Sequence, residues 1–164
     1  MFGYKLFRPL KELKAAFNFK VFNRVNGGVF VDTARHQLYY MPTVEGEQSM
    51  NAFFPVDSEE LKMISQNINK IYDYYKSKGF AAVYLAIIPN PVTVIHPDLG
   101  KYNDLIPRIY SMGTIRMPIF DVYRIFKSEP QKYYSRSDSH WNNEGMQMWI
   151  NEFNKKLEII SNQG

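Results

Sequence analysis

Asp138 and His140 are the residues whose types and spacing could do chemistry, within the run Tyr133-Tyr134-Ser135-Arg136-Ser137-Asp138-Ser139-His140-Trp141-Asn142-Asn143-Glu144-Gly145. In an extended chain, side chains two positions apart point to the same side, so the carboxylate and the imidazole can meet while Trp141 faces the other way. The carboxylate can accept a hydrogen bond from one ring nitrogen, which sets the tautomer and leaves the second nitrogen to act as a base. Asn142 is of the type that caps a helix, which would anchor the pair at a helix entrance. An Asp-x-His spacing alone fits a hydrogen-bonded turn equally well, with no chemistry attached.

Such a pair needs rigid elements to position it. Phe80 to Ile88 is almost wholly apolar, without polar alternation, which predicts a buried central strand of a parallel sheet ended by Pro89-Asn90-Pro91. Met117 to Asp121 predicts a second buried strand, and Val122 to Phe126 a following turn of helix. Asp57 and Glu60 have capping-box spacing ahead of Leu61, Ile64, Ile68, Ile71 and Tyr75, one face of a helix that Gly79 would stop in the left-handed conformation. A second helix is expected over Asn103 to Met112. A third follows Asn142, with Met146, Trp149, Ile150, Phe153, Leu157 and Ile160 on its apolar face. Upstream, Phe19 to Val25 reads as a strand, Asn26-Gly27-Gly28 as a turn and Val29 to Val31 as the returning strand. Leu38 to Met41 could be a further short strand, with a loop over Pro42 to Ser49. This alternation predicts an α/β three-layer sandwich with a mainly parallel sheet. Ligands in such sheets bind at the carboxyl ends of the strands. Asn90 and Asp121 therefore join the segment around His140 as candidate rim residues. Asn90 could donate its side-chain amide there or serve only the turn between two prolines. Asp121 could line the cleft or simply begin the next turn.

Asp138-Ser139-His140-Trp141-Asn142, followed by Glu144-Gly145 and an amphipathic helix, resembles the Asp-x-His-Trp block of SGNH-hydrolase-like proteins. The branch it is most similar to is the alginate O-acetyltransferase type, which modifies bacterial exopolysaccharides. Val83-Tyr84-Leu85-Ala86-Ile87-Ile88-Pro89-Asn90 resembles that branch's strand ending in a proline turn, and Tyr133-Tyr134 is similar as well; the likeness covers roughly residues 60–157. The resemblance implies a flavodoxin-like fold and a Ser-His-Asp triad with His140 as base and Asp138 orienting it. It also implies a carbohydrate substrate or acyl donor, candidate contacts from Asn90, Asp121 and Trp141, and an extracytoplasmic or membrane-associated setting. The chain departs from that pattern in one respect: no Gly-Asp-Ser block is present. Ser137 and Ser139 adjoin Asp138 too closely to be activated by His140, Ser58 suits a helix start, and Ser111 follows a helix. Three accounts stay open. One is an esterase or O-acyltransferase on carbohydrate with an unidentified serine. Another is a degenerate member that binds carbohydrate or a partner protein without turnover. The third is an incomplete domain whose nucleophile lies on another segment.

Composition limits the alternatives. The 164 residues suit one domain at 19.3 kDa: a basic segment over 1–26 and a single α/β domain over 27–164. The absence of cysteine excludes disulfide scaffolds, thiol nucleophiles and iron–sulfur clusters. No apolar run approaches the ~20 residues of a membrane span, and no signal-peptide core follows the first residues. No cofactor is expected, since glycine-rich phosphate loops are missing and His36, His96 and His140 lack metal-ligand spacing. His96-Pro97-Asp98 matches the tripeptide of J domains, but it follows an apolar strand and a proline turn where those set it between two helices. Tyr72, Tyr74, Tyr75, Tyr102 and Tyr110 could stack sugars or serve as core-edge residues. The net charge of +4 is uneven: Lys5, Arg8, Lys11, Lys14, Lys20 and Arg24 face only Glu12 in the first 26 residues. Leu10, Leu13 and Phe17 recur at helical spacing after Pro9, so this segment can pack on the domain, meet a partner protein or rest on anionic lipid. Nucleic acid is not an expected partner, because no recognition motif accompanies the charge.

Overall fold

A computed structural model describes residues 10, 13–14, 16–21, 25, 27–45, 51–136 and 139–161. Residues 16–21 are helical, which corrects the strand expected over Phe19 to Val25; residues 22–24 lie outside the described residues. The first strand, β1 (Val29–Asp32), pairs instead with the chain that follows it, β2 (Gln37–Tyr40), in antiparallel register from Val29 opposite Tyr40 to Asp32 opposite Gln37. The turn between them closes over four residues, with His36 in the left-handed region at φ 52°. Local closure costs less chain entropy than a distant partner, and here it sets the pairing. β2 runs directly into α1 (Met41–Val44), where a loop was expected.

The long helix α2 (Ser58–Ser77) begins and ends where its sequence dictates. Asp57 accepts from the Glu60 backbone at 2.8 Å while the Glu60 side chain accepts from the Asp57 backbone at 3.0 Å. At the other end Gly79 takes φ 86°, and Gly79 and Phe80 return hydrogen bonds to the Lys76 and Tyr75 carbonyls, a Schellman stop. Its apolar face is only half used. Leu61 and Ser65 are buried and Ile64 and Ile68 half-buried, whereas Ile71 and Tyr75 stay exposed.

The expected three-layer sandwich is overturned. Among the described residues the molecule is mostly helical, and its one sheet is the β1–β2 hairpin. The segments expected to be central parallel strands do lie side by side and run the same way, but they meet at a single parallel bridge, Leu85 with Ile119. Leu85 donates to the Pro118 carbonyl at 2.9 Å and accepts from Phe120 at 2.8 Å. A central strand needs a paired neighbour on both edges and cover on both faces. Here Phe80 is 55% and Ile88 39% exposed, so the apolar run lacks that cover. Apolar composition measures a tendency to be buried and says nothing about which partner arrives.

The core gathers around a short helix that the sequence pattern does not reveal, α3 (Pro91–Ile95), every residue of which is buried. Proline suits its first position because that N–H would be unsatisfied anyway. A 3-10 turn (Pro97–Leu99) and α4 (Leu105–Ser111) follow. Met117 to Asp121 leads into α5 (Tyr123–Ser128) and α6 (Pro130–Tyr133), and α7 (Asn143–Ser161) ends the described chain. Phe126, fully buried, is the hub: its ring lies 5.8 Å from Tyr133, 5.2 Å from Tyr134 and 5.7 Å from Trp141. Trp149 and Phe153 extend this aromatic cluster along α7, stacked at 5.3 Å.

Candidate functional site

The loop that carries His140 is closed at its base. Tyr134 and Trp141 form an antiparallel bridge, with Ser135 donating to the His140 carbonyl at 3.1 Å and Asn142 donating to the Tyr133 carbonyl at 2.9 Å. Asn142 is the cap its position suggests. Its side-chain oxygen accepts from Gly145 at 2.9 Å, and its amide donates to the carbonyls of Lys132 at 2.7 Å and Tyr134 at 3.3 Å. A Cβ on Gly145 would meet the Tyr133 carbonyl at 2.5 Å and Trp141 at 3.1 Å, so glycine lets α7 approach α6 this closely. The His140 side chain is exposed beyond this base. Asp138, its expected orienter, lies outside the described residues.

The other expected rim residues take up identifiable positions. The buried Tyr134 hydroxyl donates to the Pro89 carbonyl, which joins the Pro89–Asn90 turn to the His140 loop. Burial pushes the Tyr134 phenol far above its ordinary range, so it remains a donor at all physiological pH. Asn90 is exposed; its carbonyl accepts from the Thr93 backbone at 3.0 Å and the Thr93 hydroxyl at 2.7 Å. Asp121 is exposed and accepts from the Arg124 backbone at 3.2 Å, so it holds the first turn of α5. Because the segments bridged at Leu85 and Ile119 are parallel, Asn90 and Asp121 both follow the bridge toward the same end. Trp141 is half-buried and stacks on Phe126, where it fixes the loop base.

A His–Asp contact does arise elsewhere, between residues that the sequence does not connect. His96 and Asp32, 8% and 7% exposed, place Nδ1 and Oδ2 2.7 Å apart. Neither atom has a directed hydrogen bond, so the two meet as a close polar contact. Asp32 also accepts from the Arg35 backbone at 3.1 Å and lies 3.6 Å from its guanidinium. Arg35 reaches Asp98 at 3.3 Å, and the second His96 nitrogen lies 3.6 Å from the same carboxylate. Burial first, then Asp32, raises the neighbouring Tyr39 phenol well above its usual value, while Arg35 opposes them. The cluster ties the hairpin to the 3-10 turn. The hairpin in turn holds the His140 loop, because Leu38 donates to the Arg136 carbonyl and Gln37 to the Ser135 carbonyl, each at 2.8 Å. The signals for this cluster in the sequence are His96-Pro97-Asp98 and the Asp32-x-x-Arg35 turn, each uninformative by itself.

Among the described residues no group of three or more acidic, histidine or cysteine side chains could hold a metal ion. An open depression on α7, along Met148, Asn151 and Lys155, is lined by none of the candidate residues. No protein-family model, curated protein or solved structure matches the chain.

Proposed function

We propose that the chain is a carbohydrate esterase or O-acyltransferase domain acting on bacterial polysaccharide, with His140 as general base and Asp138 orienting it. The observation that supports this most is the anchoring of the His140 loop. A bridge, a helix cap and a buried tyrosine hold its base, the tyrosine reaching the Pro89–Asn90 turn, while the His140 side chain is exposed. In acyl transfer of this kind the imidazole removes the proton of an attacking hydroxyl as the new oxygen–acyl bond forms. It then returns that proton to the departing sugar oxygen as the old ester bond breaks.

One observation favours a second account, binding of carbohydrate or a protein partner without turnover. The hydroxyls of Ser65, Ser77, Ser111 and Ser128 are each engaged locally, with Thr114 or with the backbone carbonyl three residues back. None is presented as a nucleophile. Intact mass after fluorophosphonate treatment separates the two accounts, with His140→Ala run beside the unmodified protein. A single adduct that disappears in His140→Ala, together with at least about a hundredfold loss of ester hydrolysis, supports acyl transfer. Folded protein that takes no adduct yet retains acetylated polysaccharide in a titration supports binding alone. Ester hydrolysis unchanged in His140→Ala would remove His140 from the chemistry.

A further inference from the structure

The described helical residues near the start of the chain leave large apolar side chains exposed. Leu10, Leu13 and Val21 are 61%, 69% and 56% exposed, and Phe17, on the same side, is 56% exposed. Spacings of three, four and four place these four residues on one stripe of a helix. Lys14 and Lys20, both exposed, lie at its margins. An isolated helix of this length is marginal in water and needs a surface to cover its apolar face. Leu10, Leu13 and Val21 are therefore not covered by packing on the domain.

Charge identifies the kind of surface. Residues 1–26 hold six basic side chains against Glu12, while the rest of the chain sums to slightly negative. An apolar stripe with lysine margins and a strong local positive charge suits the boundary between anionic headgroups and acyl chains. Among the described residues no helix is long and apolar enough to cross a membrane, so the segment would lie in the plane of the surface. We propose that the helix containing Leu10, Leu13 and Val21, with Lys14 and Lys20 at its margins, docks on an anionic lipid surface. This assignment is independent of any acyl-transfer chemistry at His140.

The test is co-sedimentation of the full chain with phosphatidylcholine vesicles, with and without phosphatidylglycerol, over a range of salt. The expected result is binding to the phosphatidylglycerol vesicles that weakens as salt rises. Leu10→Glu/Leu13→Glu is expected to lose at least about tenfold in partitioning, and Lys14→Glu/Lys20→Glu about tenfold. Both variants change only exposed side chains, so circular dichroism and the melting temperature should stay unchanged, which separates lost docking from lost folding. Equal binding to neutral and anionic vesicles, or equal binding by the variants, overturns the proposal. So does a dimer in sedimentation velocity that Leu10→Glu/Leu13→Glu converts to monomer while the unmodified protein ignores vesicles; the stripe would then be an interface between copies.

Discussion

At the scale of single residues, His140 and His96 contrast in what surrounds them. His140 stands exposed on an anchored loop, where the proposed base would meet substrate. His96 is buried against Asp32 with Arg35 and Asp98 around it, where its charge partners serve packing. Removing one member of a buried polar contact leaves the other uncompensated, typically at about 1–3 kcal/mol and more for a charged group. His96→Ala is therefore expected to lower stability by about 3 kcal/mol, with Arg35 offsetting part of the damage to Asp32. A double-mutant cycle with Asp32→Asn, read from urea midpoints, should show the paired change costing less than the sum of the two. Additive losses would mean that the 2.7 Å contact carries no coupling. The anchoring of the His140 loop was legible in sequence because Trp141 and Asn142 follow it directly in the chain. His96–Asp32 was not legible, because each half looks ordinary until folding brings them together.

At the scale of elements, ends were easier to foresee than partners. Asp57 with Glu60, Gly79, and Asn142 all act as the sequence suggests, since each satisfies backbone groups within about four residues of itself. The junction of α6 and α7 adds a constraint visible only in three dimensions, the 2.5 Å approach of the Tyr133 carbonyl to the place a Gly145 side chain would occupy. A backbone carbonyl cannot rotate away as a side chain can. Gly145→Ala should thus cost about 2 kcal/mol through displacement of α7, despite the better helix propensity of alanine. Glu158→Ala, exposed on the same helix, should stay within about 0.5 kcal/mol. Thermal melts of both variants check this, and a stabilised Gly145→Ala would show that α7 can shift freely.

At the scale of the whole molecule, α2 is fastened to the rest largely by polar contacts. Ser65 meets Thr114 at 2.8 Å, Asn69 binds the Thr114 carbonyl and the Arg116 backbone, and Asp73 pairs with Arg116 at 2.6 Å. The hydrogen bond from Arg116 holds the Asp73 carboxyl below its usual range. A carboxylate depressed in the folded state contributes stability above its unfolded pKa and loses it as pH falls through the folded value. The pair is exposed, so its contribution is small and screened by salt. Asp73→Asn should melt slightly below the unmodified protein at neutral pH, and the two curves should converge as pH drops below the carboxylate range. A gap that persists or widens in acid would contradict this assignment.

Sequence alone determined the local punctuation of this protein: the caps of α2 and α7 and the left-handed stop at Gly79. These depend on hydrogen bonds closed over a few residues, which leave a signature in residue type and spacing. Tertiary structure alone decided that β1 pairs with β2, that Phe80 to Ile88 meets only one bridge, that Pro91 to Ile95 becomes the buried centre, and that His96 finds Asp32. Each of those outcomes turns on which distant surface arrives to remove water and satisfy the backbone, and hydrophobicity specifies that burial is favourable without naming the partner.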